Sequence, residues 1–377
     1  MEYRAIHYLT GKPVVIVTRG GRIAAIRNGR SGGRLPLVGP PLLDMQVNGY
    51  MGRDINAPAT ASPKDLAEIT RIFTKIGVAF WVPTLITNSP AGLITLLGVI
   101  RRAIDTMPAV RKAVPGIHME GPFITPDDGP RGAHDRRFVR PPSLKEYRAW
   151  QKACGGMVRI VTIAPEWPGA ATFTRAVVRD GVVVALGHCN ADREAIKRCV
   201  DAGASLATHL GNGAHPLVPR HHSYIWELLA DDRVWAGLIG DGFHLPQAQF
   251  QNFIRAKRPE RVVLTSDTVY LGGMKPGNYK LGDLPVRMRP DGKIVVAANE
   301  ALMGGASQPL PMSITNAVKL AGRTPAEAWM MASENPAAML GRQAYPGLRK
   351  GDAAVFNLFR FAKDGTLKIE RLVDERK

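Results

Sequence analysis

Short apolar, β-branched runs recur along this chain, each followed by a polar cluster and then by a stretch long enough for a helix. Eight of them predict strands over 42–47, 78–85, 114–119, 158–163, 182–186, 205–208, 234–239 and 262–265. Runs this apolar suit strands buried on both faces, as in a parallel sheet. Ser62 followed by Pro63 predicts an N-cap with proline at the first helical position. Leu66, Ile69, Phe73 and Ile76 then follow at helical spacing, and Gly77 closes the segment. Asn190 predicts a second cap, ahead of a helix that carries Ala195, Ile196, Cys199 and Val200 and stops at Gly203. Strand and helix alternating eight times predict an α/β fold, a (β/α)8 TIM barrel.

The two ends carry a different pattern. Residues 14–17 and 22–26, joined at Gly20-Gly21, predict a β-hairpin, and 353–358 and 366–373 flank a turn at Asp364-Gly365. Both termini are expected to meet in a small β-sandwich-like domain, 1–40 with 345–377, beside a barrel of 41–344. The Gly- and Pro-rich stretch 272–296 predicts an excursion after the last barrel strand, with a hairpin turning at Asp291-Gly292.

Catalytic groups of such a barrel sit at the carboxyl ends of its strands. There this chain places Asp44-Met-Gln-Val-Asn-Gly49, His118-Met-Glu-Gly-Pro-Phe123, Gly187-His-Cys-Asn190, Thr208-His-Leu-Gly-Asn212 and Thr265-Ser-Asp267. Glu120, His188 and His209 follow the third, fifth and sixth strands. Two imidazoles and a carboxylate are a common hydrolytic zinc set that leaves a position for water. A divalent metal lowers the pKa of that water to roughly 7. Asp267, after the eighth strand, is placed to take a proton from the water and give it to a leaving amine. Metal-dependent hydrolases of this architecture often carry His-x-His after the first strand; here Gln46 and Asn48 stand there, and neutral amides are weak ligands. No lysine after the fourth strand, in Thr162-Ile-Ala-Pro165, offers a bridge between two ions. One metal per subunit is expected, zinc or alternatively iron, with Gln46 left to hold a water or a weakly bound second ion.

These motifs, together with Asp241-Gly-Phe-His244, resemble those of the N-acetylglucosamine-6-phosphate deacetylase family of the amidohydrolase superfamily, in order and over most of the chain. The resemblance implies a metal on Glu120, His188 and His209 with Asp267 as acid/base. It further implies that His134 contacts the acetamide carbonyl and His244 the sugar or phosphate. Asn212 and Arg220 would help hold the phosphate, and the protein would be a homodimer. One region departs: the family usually has an aromatic residue and alanine around the asparagine after the sixth strand, where Gly211 and Gly213 flank Asn212 here. That departure keeps a second substrate class open, an unphosphorylated N-acetyl sugar or an N-acyl amino acid.

Composition narrows the setting. The 377 residues are 45% hydrophobic and 22% charged, ordinary globular values. No apolar run approaches the roughly 20 residues of a membrane span, and Met1–His7 lacks the layout of a signal peptide. Three cysteines, Cys154, Cys189 and Cys199, make no disulfide framework, and a reducing cytoplasm is expected. The net charge of +18 reads either as an attractive field for small anions or as a solvated, arginine-rich surface. The basic residues are scattered and match no nucleic-acid motif, so neither nucleic acid nor membrane is expected as a partner.

Overall fold

In the computed structural model, residues 1–30, 32–341 and 345–376 are described. Eight parallel strands form the barrel: Leu42–Val47, Val78–Ile86, Ile117–Glu120, Val158–Ile163, Val183–Leu186, Leu206–Ala207, Trp235–Ile239 and Val262–Thr265. Each pairs with the next in sequence order, and Val47 bridges Thr268 across the remaining seam. All eight expected strands are therefore present, with ends displaced by three residues at most.

The helices form where capping and periodicity place them. In Pro63–Lys75 the Asp65 carboxylate accepts from the Ser62 backbone N–H at 2.9 Å and from its hydroxyl at 2.7 Å. Leu66, Ile69 and Phe73 are buried against the barrel, each contributing roughly 1.5–3 kcal/mol by removal from water. Asn190 does not cap the helix Arg193–Asp201. Asp192 does, accepting from Ala195 N–H at 2.7 Å, while the Asn190 amide reaches Asp127 at 2.8 Å. Both residues are good caps, and the one nearer the first helical turn prevails.

The terminal strands form a single sheet of six, in the order Leu367–Asp374, Val355–Phe361, Leu37–Gly39, Glu2–His7, Pro13–Arg19 and Arg22–Asn28. Trp329 and Phe359 join it to the barrel, stacked at 3.7 Å between centroids and 4° between planes. A β-carbon on Gly39 would lie 2.4 Å from Trp329 Nε1, so only glycine lets that strand pass. The excursion after the eighth strand is longer than expected: Gly277–Leu281, Leu284–Met288, Ile294–Val296 and Asn299–Met303 make a four-stranded antiparallel sheet. It has its own small core of Leu271, Val286, Met288 and Ile294.

Candidate active site

Side chains two residues apart on a strand point the same way, so the barrel interior changes character toward the carboxyl ends. Val82, Ile160, Leu206 and Val263 pack inside, and two residues further on Thr84, Thr162, Thr208 and Thr265 form a buried polar tier. Buried hydroxyls need partners. Thr162 Oγ1 lies 2.7 Å from His118 Nε2 and 2.7 Å from Thr208 Oγ1, tying the third, fourth and sixth strands together. Burial pushes the His118 imidazole down to about 4.

At the strand ends three side chains converge. Glu120 Oε1 is 2.8 Å from His209 Nε2 and 3.2 Å from His188 Nε2, and the two ring nitrogens are 2.9 Å apart. His188 Nδ1 lies 2.8 Å from the Pro130 carbonyl oxygen. That oxygen only accepts, so Nδ1 carries a proton, and in the neutral ring Nε2 then presents a bare lone pair. A lone pair facing a carboxylate oxygen and a second imidazole nitrogen repels both unless a cation lies among them. Edges of this length suit an ion held by bonds of about 2.0–2.1 Å. The donor set fits a divalent metal. Burial would push the Glu120 carboxyl up, but without an ion, hydrogen bonds and charge from imidazoles that carry a proton toward it outweigh that and hold it well below its ordinary value, the part a bound cation would take over.

The backbone is strained at the same place. Among the described residues, five that are not glycine have positive φ, and three of them are His188 at 48°, His209 at 27° and Asp267 at 53°. Left-handed backbone is costly for a side chain with a β-carbon and concentrates at functional positions.

Asp267 sits at the barrel seam. Its Oδ1 accepts from Asn48 Nδ2 at 2.7 Å, and its backbone N–H donates to Gln46 O at 3.0 Å. Burial, reinforced by the Glu120 carboxylate, pushes its carboxyl up to about 8. Gln46 Nε2 donates to Glu120 Oε1 at 2.8 Å, so its amide nitrogen is engaged with that carboxylate. Below the seam Asp44, raised by burial to about 6, accepts from Thr265 Oγ1 and Ser266 N–H, both at 3.0 Å.

No family model matches the chain. N-acetylgalactosamine-6-phosphate deacetylase of Escherichia coli O157:H7 is 33% identical over 310 residues, covering 81% of this chain and 78% of that protein. Human N-acetylglucosamine-6-phosphate deacetylase is 30% identical over 332 residues, covering 84% and 77%. The chain belongs to the N-acetylglucosamine-6-phosphate deacetylase family. As a member it is an amidohydrolase, acting on an amide C–N bond. The architecture agrees along the whole length. N-acetyl-D-glucosamine-6-phosphate deacetylase of Mycobacterium smegmatis has a TM-score of 0.87 at 27% identity, covering 100% of this chain and 98% of that one. The Thermotoga maritima deacetylase, at a TM-score of 0.85 and 24% identity, shares the fold.

The other residues implied by the family motifs divide. His134 is brought in: its ring centroid lies 4.4 Å from that of His188, and its Nδ1 is 2.9 Å from Thr87 Oγ1. Donor atoms of Glu120, His134 and His188 all fall within 4.8 Å of one another, a looser trio than the one His209 completes. Burial, then the neighbouring His188, pushes His134 down to about 3. His244 Nδ1 lies 2.7 Å from Asp241 Oδ2, while Asp241 Oδ1 accepts backbone N–H groups of Phe243 at 2.8 Å and His244 at 2.9 Å. Burial would raise Asp241, but the charge and hydrogen bonds of His244 outweigh it and leave it lowered.

Asn212 donates its backbone N–H to His209 O at 2.9 Å, and its Nδ2 is buried without a partner among the described residues. The glycine beside it has a reason: a β-carbon on Gly213 would lie 2.6 Å from His188 Nδ1. Arg220 is not brought in. It is exposed, in a segment without regular structure, and makes no hydrogen bond or ion pair among the described residues.

Sequence reasoning missed Asn48, Asp241 and Thr87 as partners of Asp267, His244 and His134. Asp241 was legible, since an aspartate that binds its own backbone two and three residues on is a standard Asx turn. The others meet their partners across 219 and 47 residues of chain, and no local signal reports that.

Proposed function

We propose that this chain hydrolyses the acetamide of N-acetylglucosamine 6-phosphate, releasing acetate and glucosamine 6-phosphate. The observation that carries the reading is the meeting of Glu120 Oε1, His188 Nε2 and His209 Nε2 within 3.2 Å of one another. These atoms would hold one divalent ion per subunit, zinc or alternatively iron, since imidazole and carboxylate serve both. When bound, such an ion supplies Lewis acidity at the amide carbonyl and acidifies water at the site. Asp267, which the positive charge of a bound ion would keep ionised, takes one proton from the attacking water as its oxygen adds to the carbonyl carbon. It returns that proton to the nitrogen as the C–N bond breaks.

His134, held by Thr87 and kept neutral by burial, would donate to the acetamide oxygen. His244, oriented by Asp241, would meet the sugar or phosphate, and Asn212 and Arg220 the phosphate. Gln46 would steady Glu120 and a water. The reading includes a terminal β-domain of 1–40 with 345–377 and a barrel of 41–344; its limits at 344 and 377 lie outside the described residues. It also includes a cytoplasmic homodimer. All three cysteines are buried and unpaired, in keeping with a reducing compartment. Among the described residues no helix is long and apolar enough to cross a membrane.

The exposure of Arg220, without a hydrogen bond or ion pair among the described residues, favours a second reading, in which the acyl substrate lacks the phosphate. Acetate release by the metal-loaded protein separates the two. The panel is N-acetylglucosamine 6-phosphate, its galactosamine epimer, unphosphorylated N-acetylglucosamine and an N-acetyl amino acid. Two charged hydrogen bonds to phosphate predict a kcat/KM preference of at least about 10²-fold for the phosphorylated sugar. Equal rates with and without phosphate would overturn the phosphate assignment. Release from none would overturn the deacetylase reading.

A further inference from the structure

We propose that Asn48 is a positioning residue for Asp267, its side-chain amide holding the carboxylate that handles the proton. The inference rests on the reaction above and concerns a contact that the reaction alone does not require. Asn48 follows the first barrel strand and Asp267 the eighth, so they meet only because the barrel closes between them. The Asn48 backbone is fixed from both sides. Its N–H donates to Thr268 O at 2.8 Å, and its carbonyl accepts from Asn56 Nδ2 at 3.3 Å. Asn56 is itself anchored on the second strand, donating to Thr84 O at 2.9 Å and accepting from Ile86 N–H at 2.8 Å. The next residue, Gly49, has φ 156°, and a β-carbon there would lie 2.4 Å from Arg53 O. The chain can follow this path only with glycine after the asparagine.

Locked in this way and only 6% exposed, Asn48 directs Nδ2 to Asp267 Oδ1 at 2.7 Å. In the ionised form that takes the proton, the Asp267 carboxylate only accepts, so the amide presents Nδ2 to it in that state. No other side chain among the described residues donates to the Asp267 carboxylate. Its own backbone is left-handed, at φ 53°. The amide is what keeps the carboxylate from turning about its own side-chain bonds.

Two substitutions test this. Asn48→Ala removes the donor, and Asn48→Asp keeps the shape but replaces the donor by an acceptor. Positioning through the hydrogen bond predicts that both lower kcat by about 10²-fold, the cost of misplacing a reacting group by an ångström. KM should stay within about threefold, and metal content should stay at the wild-type value. A residue that only fills space would leave Asn48→Asp at the wild-type rate, and that result would overturn the proposal. So would a loss of rate that tracks a loss of metal. A crystal structure of Asn48→Ala reads the contact without turnover: Asp267 rotated from its place supports the proposal, and Asp267 unmoved overturns it. A wild-type chain that released no acetate would count against the substrate, while the position of Asp267 would still decide on Asn48.

Discussion

Replacing Asp267 with asparagine removes a titratable oxygen and leaves the side chain's shape. Asn48 Nδ2 still has a carbonyl oxygen to donate to where the 2.7 Å contact now lies. Glu120, His188 and His209 keep their mutual contacts of 2.8–3.2 Å, so metal content should stay at wild type. What disappears is the group that carries the proton in both halves of the reaction. A positioned acid or base contributes roughly 10²–10⁴ in rate. With one group serving in both directions we expect the upper half of that range, a fall in kcat of about 10³–10⁴, or roughly 4–5.5 kcal/mol.

Stability should move the other way. In the folded, metal-free protein burial and Glu120 raise Asp267 from 3.8 to about 8. The folded state then binds this proton more tightly than the unfolded chain, so the group's favourable contribution is complete below about pH 4 and is lost as pH rises through about 8. An amide has no such loss. Metal-free Asp267→Asn should therefore melt above metal-free wild type at pH 8.5, by a margin that shrinks as pH falls. Acetate release, metal analysis and thermal scans on the same preparations decide the matter. Turnover within tenfold of wild type at full metal occupancy would refute the assignment of Asp267.

Three further predictions concern the metal and the seam. A chelator should abolish acetate release and added zinc restore it. His188→Ala should weaken metal binding by more than the about 10–100-fold that loss of a ligand's outer partner costs, and unchanged affinity in a competition titration would remove His188 from the ligand set. Gly49→Ala places a β-carbon 2.4 Å from Arg53 O and 3.0 Å from Tyr270 N; it should cost about 2–4 kcal/mol and lower the melting temperature, and an unchanged melting temperature would show that the 49–54 loop is free to shift.

The barrel was legible because its strands are buried on both faces. That condition forces continuous apolar runs such as Val78–Ile86, and such runs stand out against the polar helix surfaces between them. The same reasoning fails for strands that bury little. Asn299–Met303 is exposed at four of its five residues and Leu37–Gly39 has only three, so neither leaves an alternating pattern. Glu2–His7 does alternate, with Tyr3 and Ala5 buried, but it lies in the sheet only by pairing with Pro13–Arg19 and Leu37–Gly39. A strand identified in isolation carries no information about its neighbours.

The site divides along a similar line. Glu120, His188, His209 and Asp267 were legible because each follows a recognisable strand, and a barrel brings strand ends to one rim whatever lies between them. Their orientation was not, because it depends on groups that meet only after closure: Pro130 O on His188, Gln46 on Glu120, Asn48 on Asp267. The Gly211–Gly213 departure shows how far this reaches. Read as sequence, it blurs a substrate pocket; in three dimensions Gly213 is where the chain passes so close to His188 Nδ1 that a β-carbon would stand 2.6 Å away. The same His188 nitrogen must keep its proton on Pro130 O for Nε2 to face Glu120 with a free lone pair. The glycine therefore protects the geometry of a proposed metal ligand, and a departure from the family pattern at this position bears on the metal before it bears on the sugar.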